Sequence, residues 1–198
     1  MTLLVTNPAP DFTATAVLPD NSFKEDFKLS DFRGKYVLLF FYPLNFTFVC
    51  PSEILAFNKA VDQFEAHNCQ LIGISIDSHY SHLAWKNTPV NEGGIGRISY
   101  PLVSDLNKSI SRAYGVLLDA GIALRGLFLI DRDGIIRHMV VNDLPLGRNV
   151  NEALRILFAL QFTEQHGEVC PANWNKGEEA MTPTAEGVAA YLTAHAND

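Results

Sequence analysis

Lys35-Tyr-Val-Leu-Leu-Phe-Phe-Tyr42 is an unbroken apolar and aromatic run, preceded by Arg33-Gly34 and followed by Pro43. A run of this length without polar alternation reads as a strand buried on both faces. Gln70-Leu-Ile-Gly-Ile-Ser-Ile76 is a second such run. Between them, Pro51 to His67 carries Ile54, Phe57, Val61 and Phe64 at helical spacing. The unit therefore reads strand, helix, strand, and a parallel pair joined by a right-handed crossover is predicted. That places the chain in the α/β class.

The rest extends this unit. Asp77 to Asn87 reads as a helix opened by Ser78 and carrying Leu83 and Trp85, and Asn91-Glu-Gly-Gly-Ile-Gly96 as a loop. Ser99 to Val103 and Gly126 to Ile130 are further short apolar runs. Asp131-Arg-Asp-Gly134 joins the latter to Ile135-Ile-Arg-His-Met-Val-Val141 as a hairpin, because Asp-Gly supplies the positive φ that a tight turn needs. Asn149 to His166 reads as a long helix with Ala153, Ile156, Leu157 and Leu160 on one face. The expected core is a central mixed sheet flanked by helices. After Gly167 the sequence becomes polar and turn-rich, with a short helical pattern from Thr184 to His195. Residues 1–166 are thus expected to form one domain and 167–198 a C-terminal arm. No internal repeat is visible.

Composition narrows the function. The 198 residues are 47% hydrophobic and 19% charged, which is ordinary for a globular domain. A net charge of −7 with no basic cluster argues against a nucleic-acid surface. Met1-Thr-Leu-Leu-Val-Thr-Asn-Pro8 has no basic region and too short an apolar stretch for a secretory signal, and no segment reads as a bilayer span. A cytoplasmic address is expected. The three cysteines, Cys50, Cys69 and Cys170, include no C-x-x-C pair and form neither a disulfide scaffold nor a zinc set.

Cys50 stands out because Phe41-Tyr-Pro-Leu-Asn-Phe-Thr-Phe-Val-Cys-Pro-Ser-Glu53 places a lone thiol at a helix start, directly after a buried strand. An unperturbed thiol is only about 3% ionised at pH 7, yet the thiolate is the reactive form. Exposed N–H groups at a helix N-terminus favour the anion. The spacing P-x-x-x-T-x-x-C adds Pro43, which ends the strand and can shield the thiol, and Thr47, whose hydroxyl both donates and accepts. Pro51 suits a first turn, where its N–H has no intrahelical acceptor. Thr47 and Cys50 are both candidates for the N-cap. The position lies at the carboxyl edge of the sheet, where α/β proteins hold their sites.

This stretch resembles the peroxiredoxin family, and the resemblance continues through Asn68-Cys-Gln-Leu-Ile-Gly-Ile-Ser-Ile-Asp-Ser78, His82-Leu-Ala-Trp85, Leu124-Arg-Gly-Leu-Phe-Leu-Ile-Asp131 and Gly167-Glu-Val-Cys-Pro-Ala-Asn-Trp174. These look like successive blocks of the typical two-cysteine subfamily, which includes the alkyl hydroperoxide reductase C subunit and thioredoxin peroxidases. The resemblance implies a thioredoxin-like fold. It also implies a thiol-dependent peroxidase acting on hydrogen peroxide and small organic hydroperoxides, with no metal or other cofactor. By it Cys50 is the peroxidatic cysteine, and Cys170 is the resolving cysteine contributed by a partner subunit of a homodimer that assembles to a decamer. Thr47 and Arg125 match the residues that activate the thiolate and bind peroxide, although read alone Arg125 would be a surface residue capping a strand. Glu53 matches the residue that positions this arginine and should face the guanidinium, since its charge would oppose a thiolate. Arg148 matches a second arginine near the site. The implied reductant is a thioredoxin or a dedicated flavoprotein disulfide reductase.

The remaining candidates read structurally. Cys69 precedes a buried strand without Pro, Thr or Arg context and is expected to be a packed thiol. His79 and His82 read as a solvated pair, and no histidine set has metal spacing. Gly93-Gly-Ile-Gly96 and Tyr191-Leu192 resemble paired motifs tied to overoxidation in this family, usually Gly-Gly-Leu-Gly and Tyr-Phe. Leu192 is therefore expected to loosen the tail. Two other readings stay open: a holdase or peroxide-signalling ring, and a disulfide oxidoreductase of the same fold that lacks the C-x-x-C.

Overall fold

The computed structural model describes residues 3–195, which group into two compact units divided along the sequence between Val150 and Asn151. In chain order the first unit contains β1 (Thr13–Val17), β2 (Phe23–Lys28), β3 (Tyr36–Phe41), α1 (Cys50–Lys59), α2 (Val61–Ala66), β4 (Cys69–Ser75), α3 (His79–Asn87), β5 (Leu102–Ser104), α4 (Ser109–Ala113), β6 (Arg125–Ile130) and β7 (Ile136–Asn142). The second contains α5 (Val150–His166) and α6 (Ala185–His195).

The seven strands form one mixed sheet in the order β2-β1-β5-β4-β3-β6-β7. β3 is central and buried along its whole length, pairing parallel with β4 from Tyr36↔Cys69 to Phe41↔Ile74 and antiparallel with β6. Alternation splits its side chains between two cores. Val37, Leu39 and Phe41 join Ile110, Tyr114 and Phe128 on one face. On the other, the Phe40 ring stacks on Phe57 of α1 at 4.5 Å, and Tyr100 OH donates to the Ile54 carbonyl at 2.8 Å. Gly73, opposite Phe40 in the register, makes room for that ring, since a Cβ there would lie 3.2 Å from Phe40 Cζ and 2.9 Å from Leu102 Cδ2.

The hairpin forms as predicted. Gly134 adopts φ +81° and its N–H donates to the Asp131 carbonyl, while Asp131 Oδ1 accepts from the N–H groups of Asp133 and Ile135. The helix expected over 51–67 is instead two, broken at Ala60. Both pieces keep Ile54, Phe57, Val61 and Phe64 on the buried side, so a single apolar period runs through the break. The hairpin of β1 and β2 at the sheet edge had no sequence signal, because Thr-Ala-Thr-Ala-Val and Phe-Lys-Glu-Asp-Phe-Lys are only weakly apolar.

In the second unit α5 is followed by a two-residue bridge in which Val169 and Met181 exchange N–H···O bonds at 2.9 and 3.0 Å. Trp174 is buried, its ring 5.1 Å from Phe162 and its indole N–H donating to the Glu178 carbonyl. Among the described residues no helix is long and apolar enough to cross a membrane.

Candidate active site

α1 begins at Cys50, with Pro51 in its first turn. Val49 occupies the N-cap with helical dihedrals and no side-chain cap, so neither Thr47 nor Cys50 fills that position. The Thr47 hydroxyl is turned elsewhere: Oγ1 lies 2.8 Å from the Leu44 carbonyl and 3.0 Å from Cys50 Sγ. A hydroxyl has one proton, so it donates to one of these and is free to accept from the other partner only when that partner carries a proton. Leu44 O can only accept. While Thr47 donates to Leu44 its oxygen can take the Cys50 S–H, and once the sulfur is an anion the same hydroxyl can swing its proton to it.

Cys50 is fully buried at the floor of this loop, and Pro43 is buried at the end of β3. Arg125, the first residue of β6, directs Nη1 to within 3.5 Å of Cys50 Sγ and 2.6 Å of Glu53 Oε2, while its Nε donates to the Leu144 carbonyl at 2.7 Å. Glu53 faces the guanidiniums, as its charge requires. Arg148 holds the same carboxylate from the other side. Its backbone N and Nε each lie 2.8 Å from Oε1, and Nη2 lies 3.0 Å from Oε2. Its Nη1 donates to the Gly126 carbonyl at 2.6 Å, and the guanidinium sits 5.4 Å over the Phe40 ring.

The side chains of Arg125, Glu53 and Arg148 are 3%, 3% and 2% exposed. Burial by itself raises the Glu53 pKa, but hydrogen bonds and charge from Arg148, helped by Arg125, outweigh it and hold the carboxyl below its ordinary value. Two guanidiniums against one carboxylate leave one uncompensated positive charge in a dry cluster. An anion at the sulfur completes the balance. Arg148 carried less weight than Arg125 in the sequence, whereas it makes three bonds to Glu53 against one from Arg125.

A second buried network supports the loop from below, and its residues carried no site reading. Asn45 donates its backbone N–H to Asp77 Oδ2 at 3.0 Å and its side-chain amide to Ser81 Oγ at 2.9 Å. His82 Nε2 meets the Val103 carbonyl at 3.2 Å, so it carries the proton, and Nδ1 accepts from Asn45 Nδ2 at 3.0 Å or Tyr42 OH at 3.3 Å. The expectation of a solvated His79 and His82 pair is therefore corrected: His82 is 0% exposed, and burial pushes its pKa down to about 4. His79 instead packs against Tyr80 at a tilt and edge-on to Phe23. Helical spacing placed both histidines near one face but not which of them turns under the sheet edge. Phe46, in the same loop, takes φ +55°, with its ring 5.8 Å from Trp85.

Cys69 is packed as expected, and burial pushes its thiol up to about 12. Cys170, in the second unit, is half-buried beside α5, and all three cysteines are free thiols.

Comparison with known proteins agrees with this geometry. The model of the AhpC/TSA family matches residues 5–139, and that of the C-terminal domain of 1-Cys peroxiredoxin matches 159–194. Peroxiredoxin-1 of Gallus gallus is 57% identical over 187 residues, 94% of each chain. Alkyl hydroperoxide reductase C of Helicobacter pylori is 57% identical over 191 residues, 96% of each. The crystal structure of the reduced 2-Cys peroxiredoxin of Plasmodium vivax superposes with a TM-score of 0.95 at 55% identity, covering 97% of this chain and 100% of that one. A thiol with two donors at a helix start, the mixed sheet and these matches converge: the chain belongs to the AhpC/TSA family, has the thioredoxin-like peroxiredoxin fold and is a thiol peroxidase.

Proposed function

We propose that Cys50 is the peroxidatic cysteine of this chain and that Thr47 and Arg125 are its catalytic partners. The observation that carries this is the convergence of Thr47 Oγ1 at 3.0 Å and Arg125 Nη1 at 3.5 Å on one buried sulfur. In the reaction the Cys50 thiolate attacks one oxygen of the hydroperoxide. The S–O bond forms, the O–O bond breaks, and the departing oxygen takes up a proton to leave as water or an alcohol. Charge develops on both oxygens, and preorganised donors act most strongly there. Arg125 supplies such a donor without reorganising, because Glu53 and Leu144 fix the guanidinium, and Thr47 supplies a second by turning its hydroxyl proton away from Leu44 O. Glu53 and Arg148 are positioning residues, and Pro43 shields the sulfur from water.

Cys170 is the resolving cysteine, supplied by the partner subunit from an arm spanning residues 167–198. Its thiolate attacks the Cys50 sulfenic acid; the S–S bond forms, the S–O bond breaks and hydroxide leaves. A homodimer is the smallest working unit, and we propose that dimers assemble to a decamer. Hydrogen peroxide and small organic hydroperoxides are the substrates. A thioredoxin or a flavoprotein disulfide reductase returns the two electrons. A reducing compartment such as the cytoplasm suits a protein whose cycle must return both cysteines to thiols.

The test is one equivalent of peroxide followed by non-reducing electrophoresis. A dimer band that requires Cys50 and Cys170 but not Cys69 is expected, and peroxide consumption at the parental rate by Cys50→Ser would overturn the assignment.

A further inference from the structure

Arg155, Ala159 and Thr163 lie four residues apart along α5 and so form one stripe on its surface. Cys170 rests on that stripe. Its Sγ is 3.7 Å from the Ala159 carbonyl and 3.8 Å from Thr163 Oγ1, both within reach of a sulfur hydrogen bond. The carbonyl is the one to which a helical Thr163 would ordinarily turn its own hydroxyl, four residues back. Here the Cys170 thiol donates to it.

The thiol is held in place rather than hanging from a loose tail. Its neighbour Val169 is tied by two backbone bonds to Met181. Downstream, the Trp174 carbonyl accepts from Arg155 Nη1 at 3.1 Å, and Glu152 grips Arg155 through two bonds at 2.6 and 2.7 Å. The charged side chain facing Cys170 from α5 is thus Arg155, largely balanced by Glu152.

We propose that Thr163 is a positioning residue for the Cys170 sulfur, and that α5 is its activation platform. The inference rests on Cys170 being the resolving cysteine and adds what prepares it. A carbonyl can stabilise only the protonated sulfur, so Ala159 O favours the resting thiol. Thr163 can serve the sulfur in both forms: while the single S–H points at Ala159 O its hydroxyl donates to the sulfur, and it donates more strongly once the proton has left. It is the group in this cradle that serves both forms. In the step it assists, the Cys170 thiolate forms the S–S bond with Cys50 as the S–O bond of the sulfenic acid breaks, and the hydroxide released takes a proton to become water.

The test uses the full chain carrying Cys50→Ser, so that no peroxide chemistry enters. Iodoacetamide alkylation of Cys170, followed by mass spectrometry of its own peptide between pH 6 and 10, is compared for the parent, Thr163→Val and Thr163→Ser. Loss of one long, exposed hydrogen bond, of ordinary net strength, corresponds to about a three- to tenfold slower reaction. Thr163→Val should show that deficit at neutral pH and lose it at high pH, where every thiol is ionised, and Thr163→Ser should match the parent. Identical profiles for Thr163→Val and parent, an equal slowing at every pH, or a Ser variant as slow as the Val variant would overturn the proposal. Circular dichroism of each variant controls for folding. Failure of the underlying reading would show separately, as a peroxide-induced disulfide that survives Cys170→Ser in the chain with Cys50 intact.

Discussion

Arg148 holds the Glu53 carboxylate with three of its nitrogens, at 2.8, 2.8 and 3.0 Å, across 95 residues of chain. Arg125 adds a fourth bond at 2.6 Å while reaching the Cys50 sulfur. Glu53 is therefore the hub through which one arginine steadies the other. The pair is buried, and removing one member of a buried pair costs more than the pair contributes, because the remaining charge is left without compensation.

Glu53→Gln keeps the shape but leaves two buried guanidiniums without their anion. It should lower stability by about 3–5 kcal/mol in urea denaturation. Peroxidase activity should fall as well, because Arg125 loses the partner that aims it. A variant as stable as the parent at pH 7 would show that water or backbone carbonyls already compensate these charges.

Thr47→Val removes one donor and acceptor at the sulfur without changing its volume much. Loss of a preorganised donor to developing oxygen charge is worth about a hundredfold in turnover. Stopped-flow peroxide kinetics should show that loss for Val and much less for Thr47→Ser, with protein stability nearly unchanged. If Val and Ser were equally impaired, the hydroxyl would not be the relevant group.

His82 makes stability depend on pH in a defined window. Its folded pKa is about 4 against an ordinary 6.5, so between these values the unfolded chain binds the extra proton. Stability is fully present above pH 6.5 and declines as pH falls toward 4, by roughly 2 kcal/mol at pH 5. Urea titrations at pH 7.5 and pH 5 should show this difference in the parent and a smaller one in His82→Asn. Glu53, held low, adds a further loss of stability only below its ordinary value of 4.5.

Leu192 is 53% exposed on α6, next to Tyr191, where the resembling family usually has Tyr-Phe. Leu192→Phe should raise the yield of Cys50 sulfinic acid after repeated turnover at high peroxide, read by intact-protein mass spectrometry. Equal yields in the two proteins would remove Leu192 as a determinant of overoxidation.

Much of the fold was legible because local chemistry decides it. The run from Lys35 to Tyr42 has no polar face to expose, so it had to be a central strand, and it is buried from Tyr36 to Phe41. Asp133-Gly134 had to turn, since glycine alone adopts φ +81° at no steric cost. The start of a helix at Cys50 followed from Pro51 and the apolar period after it. The hairpin of edge strand β2 with β1, the break at Ala60 and the burial of His82 were not legible, since each depends on what packs against the segment and not on its own pattern.

The sequence by itself determined that a lone thiol would sit at a helix start beyond a buried strand, and its resemblance named Thr47, Glu53, Arg125 and Arg148 as that thiol's company. Only the tertiary structure decided how they are joined. β6 lies beside β3 in the sheet and so delivers Arg125 to the sulfur, and the segment after β7 returns to set Arg148 on Glu53. Hydrogen bonds of 2.6 to 3.0 Å between residues 72 and 95 positions apart are set by strand order and register, which no local period encodes.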